Sequence, residues 1–119
     1  MKNLRMIGAC GEDLAFTYLE SLGYHILEKN FRCKIGEIDL IAQHNESIVF
    51  IEVKYRRTLS YGYPCEAVHR TKQKTISKVA LYYLKKYNLF DSSCRFDVVE
   101  IIQNKDETQI HLIQNAFMV

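Results

Sequence analysis

Two short segments hold a concentration of acids and a lysine at strand spacing: Gly36-Glu37-Ile38-Asp39-Leu40-Ile41-Ala42 and Val49-Phe50-Ile51-Glu52-Val53-Lys54. Both alternate like β-strands, and the residues between them, Gln43 to Ser47, are too few for anything but a hairpin. A turn centred on Asn45-Glu46 sets Asp39 opposite Glu52 and Glu37 opposite Lys54. Side chains two apart share a face, so all four charges are expected on one side of the sheet. Carboxylates directly opposite each other repel. A positive group is expected between them, and a divalent cation is the natural candidate.

The same charges could instead sit on a solvated face, with Lys54 and Glu37 screening the acids. A one-residue slip of register would also separate the pair. Against this, Ile48 and Phe50 precede Glu52 and Lys54 on one face, while Val49, Ile51 and Val53 make the other face apolar. A strand apolar on both sides for most of its length reads as central, where carboxylates are costly unless used.

Periodicity supplies the scaffold around this hairpin. Gly11 to Leu22 places Leu14, Ala15, Tyr18, Leu19 and Leu22 at helical spacing, closed by Gly23. Tyr24 to Arg32 reads as a first strand, and the Asp39 and Glu52 strands come next. Thr58 to Pro64 is a loop. Ile76, Val79, Ala80, Tyr83, Leu84 and Tyr87 then form the apolar stripe of a second helix, starting near Thr71 or as early as Glu66. Arg95 to Ile102 and Thr108 to Ile113 read as closing strands joined by Asn104-Lys105-Asp106. The expected class is α/β, in the order helix, three strands, helix, two strands, with helices packed around a mixed sheet. The 119 residues, 48% apolar, predict a single domain spanning 1–119.

Net charge is only +2, but it is unevenly spread. Lys54 to Lys86 holds nine basic residues against Glu66 alone, a net +8 that leaves −6 elsewhere. This pattern suits a polyanion-binding face beside an acidic site, although a lysine-rich solvated helix would look similar. Arg56, Arg57, Arg70, Lys72 and Lys74 are the candidate phosphate contacts. Tyr61 and Tyr63, flanking Gly62, could stack on an exposed base, though tyrosines in such loops more often pack on their own helix. Cys10, Cys33, Cys65 and Cys94 have no paired ligand spacing and do not cluster with the four histidines. They read as reduced thiols of a cytoplasmic protein rather than a zinc site. No apolar run is long enough to span a membrane.

Asp39 followed by Glu52-Val53-Lys54 resembles the signature of the PD-(D/E)XK nuclease superfamily. The wider pattern is closer to the YraN-like (UPF0102) family, itself similar to archaeal Holliday-junction resolvases. It comprises Gly11-Glu12, Ala15, Tyr18-Leu19, Gly23 to Leu27, Asn30-Phe31-Arg32, Gly36 to Ala42, Val49 to Lys54, Arg56, Gly62, Pro64, Glu66-Ala67-Val68, Lys72 and Arg95 to Val99. Ile38 stands where the superfamily name has proline. The resemblance implies a restriction-endonuclease-like fold, with Asp39 and Glu52 ligating Mg2+ or Mn2+ alongside the Val53 carbonyl. It implies that Lys54 positions a water or neutralises charge on the phosphate, and that Glu12 adds a further ligand. Without the resemblance, Glu12 reads as an acid favoured near a helix start.

The implied activity is a metal-dependent endonuclease or resolvase-like phosphodiesterase acting on structured or branched DNA. The alternative is a non-catalytic nucleic-acid-binding protein on a retained nuclease fold. A third, less favoured reading is a protein-interaction module. An isologous homodimer would suit a two-fold symmetric junction.

Overall fold

The computed structural model describes the backbone of residues 4–56, 70–103 and 107–117, with side chains from residue 13 onward in those ranges. Among the described residues seven elements run α1 (Leu4–Ser21), β1 (His25–Arg32), β2 (Glu37–His44), β3 (Ser47–Arg56), α2 (Arg70–Lys86), β4 (Ser93–Gln103) and β5 (Thr108–Ile113). This is the expected element order, although α1 starts seven residues earlier than its apolar periodicity suggested. The five strands form one mixed sheet in sequence order, with β3 at its centre as its two apolar faces require. Among the described strands only β3 and β4 pair in parallel. Such a pair needs a long crossover, and α2 lies within it.

Both helices end on a residue with positive φ. Gly23 (φ +91°) lets its own amide bond the Glu20 carbonyl while Tyr24 reaches back to Leu19. Asn88 (φ +61°) does the same for α2, with bonds from Asn88 to Lys85 and from Leu89 to Leu84. Both are Schellman motifs, and they satisfy carbonyls the helices leave open. The β2–β3 hairpin closes on Asn45-Glu46, with Asn45 at φ +56°, so His44 faces Ser47.

The helices cover opposite faces of the sheet. Ala15 and Leu19 of α1 pack with Leu40, Ala42, Val49, Ile51, Val99 and Ile101. Ile76, Val79, Ala80, Tyr83 and Leu84 of α2 pack with Phe31, Ile38, Ile41, Ile48, Phe50 and Val98. Four members of the expected helical stripes lie outside this core, Tyr18 among them as a half-buried residue. Leu14, Leu22 and Tyr87 are each more than 40% exposed. The sheet meets a narrower strip of each helix than the full apolar period provides, and the flanks stay in water.

Strict strand alternation also fails at two neighbouring points. Ile38 belongs to the α2-side cluster and Leu40 to the α1-side cluster. Across the β1–β2 ladder, Lys29 stacks over Phe16 of α1, whereas Phe31 packs on Tyr83 of α2. Asn30 between them has φ +52°, a left-handed conformation that switches the face taken by the residues after it. The start of β2 thus turns towards α2. Gly36 allows this approach, because a Cβ there would lie 2.9 Å from Thr75 Cγ2.

Candidate active site

The β2–β3 ladder runs from His44↔Ser47 only as far as Leu40↔Ile51. Beyond that point β2 stays paired with β1 to Glu37, and β3 stays paired with β4 to Arg56. The two central strands therefore fork, and Asp39 and Glu52 sit at the crotch. The expected register would set these two opposite each other, and the observed ladder ends one pair short of them. Instead of a backbone carbonyl, Asp39 Oδ2 accepts the Val53 amide at 2.8 Å. That bond ties the carboxylate to β3 and leaves the strands apart.

Glu52 is almost fully buried, and its Oε1 has no hydrogen-bond partner among the described residues. Burial and the nearby Asp39 charge push its carboxyl up to about 7. Burial also raises Asp39, with Glu37 adding repulsion, while the Val53 amide and Lys72 pull it back. Like charges in a dry site disfavour double ionisation. Lys72, in the first turn of α2, reaches across to place Nζ 3.1 Å from Glu52 Oε2. Burial alone would lower Lys72, but Glu52 more than offsets it and the ammonium is raised. Lys54 is half-buried beside it, and burial followed by the Lys72 charge lowers its ammonium. The site therefore holds two carboxylates and two lysines whose protonation states depend on one another.

The comparisons with known proteins point one way. Residues 11–101 match the family described as Uncharacterised protein family UPF0102. The chain is 48% identical over 117 residues to a UPF0102 protein of Caldicellulosiruptor saccharolyticus, covering 97% of this chain and 99% of that one. It is 50% identical over 110 residues to one from Clostridioides difficile, covering 92% and 95% respectively. A Geobacter sulfurreducens relative is 47% identical, with 95% and 89% coverage. The chain belongs to the UPF0102 family.

In this UPF0102 chain the residues singled out from sequence have varied places. Asp39, Glu52 and Lys54 come together at the fork, and Lys72, although exposed, places its ammonium against Glu52. Glu37 does not pair with Lys54. It is exposed and bonds Arg32 Nε at 2.8 Å across the β1–β2 turn. The two flank a tight loop closed by the Cys33 amide on the Gly36 carbonyl, so they face each other in the ladder. That signal was available in the sequence. Arg70 and Lys74 are exposed on α2. Arg56 lies beside the site, with Nε 2.7 Å from Glu100 Oε1. Arg57, Tyr61 and Tyr63 lie outside the described residues, and Glu12 lies in α1 with its side chain outside them. The described core residues of α1 pack on the face opposite α2.

Glu100 was missed. It is completely buried on β4, level with Lys54 in the parallel register. Burial raises its carboxyl despite Arg56, His111 and Lys54. The sequence held a clue: a lone acid within Val98-Val99-Glu100-Ile101-Ile102 must find a partner.

The donor set suits a hard divalent cation. Asp39 offers a carboxylate fixed by one amide, and Glu52 offers a buried oxygen with no hydrogen bond among the described residues. All-oxygen coordination by few protein ligands is the Mg2+ and Mn2+ pattern. Among the described residues no group of three or more acidic, histidine or cysteine side chains that could hold a metal ion gathers. Among those residues no helix is long and apolar enough to cross a membrane.

Proposed function

We propose that this protein is a metal-dependent nuclease that hydrolyses phosphodiester bonds in structured or branched DNA. The observation that carries the reading is the carboxylate pair at the strand fork: half-buried Asp39 and buried Glu52, whose Oε1 has no hydrogen-bond partner among the described residues, with Lys54 two residues further along β3. A pair this unfavourable by itself is what a cation site looks like before the cation binds. Asp39 and Glu52 would hold Mg2+ or Mn2+. When bound, such an ion supplies the charge that polarises a phosphodiester and acidifies a water. Lys54, on the same strand, would orient that water or neutralise charge on the phosphate oxygens. Arg70 and Lys74 lie exposed on α2 and would track the DNA backbone. Branched DNA is inferred from the likeness of the sequence motifs to Holliday-junction resolvases, and a two-fold dimer would present two such sites to a junction.

One observation favours a second reading. Lys72 already supplies Glu52 with a counter-charge, so the fold can stand without metal. A non-catalytic nucleic-acid-binding protein could keep this arrangement. Cleavage of labelled junction, flap, duplex and single-stranded DNA, and of one structured RNA, separates the two. Each is assayed with Mn2+, Mg2+ or chelator beside an Asp39→Asn control. Cutting by the unaltered protein alone, and only with metal, is the expected result. Binding without cutting on every substrate would establish the second reading.

A further inference from the structure

Three carboxylates are buried among the described residues, and they are held in two different ways. Asp97 is gripped by Arg95, whose Nε donates to both of its oxygens at 3.1 and 3.2 Å and whose side chain is only 16% exposed. Glu100 faces Arg56 at 2.7 Å, and neither of its oxygens is hydrogen-bonded among the described residues. Both partners are arginines, whose charge is permanent, and at Asp97 a single Nε–H is shared between the two oxygens. Glu52 instead meets a lysine. Lys72 has a flexible stem, a side chain 47% exposed, and an ammonium 3.1 Å from Oε2. The other oxygen, Oε1, has no hydrogen-bond partner among the described residues.

A one-ended contact from a half-exposed stem satisfies the charge and can leave by side-chain rotation alone. Nothing in the backbone of α2 has to move for that to happen.

We propose that Lys72 is an exchangeable counter-cation, which holds the Asp39–Glu52 pair in the metal-free protein and is displaced when a divalent cation enters. The proposal rests on the metal-site reading above, and it makes Lys72 a competitor of the metal rather than a ligand or a fixed strut. A ligand-supporting role would weaken metal binding on removal, whereas a competitor strengthens it.

The test is titration of the full chain with Mn2+, counting free ion by electron paramagnetic resonance. The proteins compared are the unaltered chain, Lys72→Met, Lys74→Met and Asp39→Asn. Lys72→Met is expected to bind Mn2+ about tenfold tighter, the equivalent of about 1.4 kcal/mol. Lys74→Met, which removes a charge from the same helix turn without touching Glu52, should change affinity less than about twofold, the size of a screened surface charge. If Lys72→Met does not fold, Lys72→Gln keeps a donor for Glu52 and should still bind more tightly than the unaltered chain. Mg2+ should also shift the resonance of 13C-methylated Lys72, at the midpoint of binding. Equal or weaker Mn2+ binding by the Lys72 variants overturns the exchange and leaves the metal site standing. Absence of any Mn2+ binding that Asp39→Asn removes overturns the metal-site reading and the exchange together.

Discussion

At the scale of single residues, Lys54 and Glu52 give the sharpest expectations. Lys54→Ala should abolish metal-dependent cleavage while leaving Mn2+ and DNA binding within a few-fold of the unaltered protein. Undiminished cleavage would remove Lys54 from the mechanism. Glu52 makes a prediction about pH. Its folded carboxyl, pushed up to about 7, lies above that of an unfolded glutamate, about 4.3. Between those values the folded chain keeps a proton that the unfolded chain has lost. Its contribution is therefore full at low pH and disappears as pH rises towards 7. The metal-free protein should lose stability across that window, by an amount on the order of 3 kcal/mol at most. Glu52→Gln removes the effect. Its melting temperature without metal should exceed that of the unaltered chain by roughly 5 °C at pH 8, with no gain at pH 4.5. An equal gain at both values would mean that burial of charge is not what Glu52 contributes.

At the scale of elements, the site depends on how closely the start of β2 approaches α2. Gly36 sets that distance, since an added Cβ would meet Thr75 Cγ2 at 2.9 Å and Val79 Cγ2 at 3.5 Å. Gly36→Ala should destabilise by about 1–2 kcal/mol, the usual cost of modest overpacking. Thr75→Ser removes the colliding methyl, keeps a hydroxyl for the Thr71 carbonyl, and should restore most of the loss in the double variant. Chemical denaturation of the four proteins in a double-mutant cycle measures the coupling. Additive losses would show that the contact is not the cause.

At the scale of the whole molecule, the two faces of the sheet divide the work. The α2 face carries the acids and lysines of the fork. On the α1 face, buried Asp97 is fully satisfied. It accepts the Tyr24 hydroxyl at 2.8 Å, Arg95 Nε, and the Asn115 amide at 3.1 Å. Arg95 Nη2 also reaches His44 Nδ1 at 2.8 Å, and the His44 ring stacks on Tyr24 at 4.1 Å. Arginine can only donate, so His44 must accept through Nδ1. This network joins the end of α1, two strands and the chain after β5, and it explains a structural use for the Arg95-Phe96-Asp97 motif. Tyr24→Phe should cost about 1–3 kcal/mol, the penalty for leaving a buried polar group one donor short, with Mn2+ affinity unchanged. A change in affinity would mean that the two faces are coupled.

The local parts were legible in the amino-acid order alone. Periods of 2 and 3.6 named the strands and helices, Gly23 ended α1, and a two-residue turn at Asn45-Glu46 set the hairpin register. Two apolar faces placed β3 at the sheet centre, because each such inference needs only neighbours along the chain. Packing in three dimensions governed the features that those patterns could not reach. The β2–β3 fork arises where Asp39 takes an amide that the ladder would have used. Tyr87, Leu14 and Leu22 fell outside the core because helix packing exposes only part of an apolar stripe to the sheet. Lys72 met Glu52 because α2 crosses above β3, a contact between residues twenty positions apart that no local spacing encodes. Long-range burial also made the acids reluctant to ionise together, since low dielectric belongs to the packed molecule and not to any segment of it.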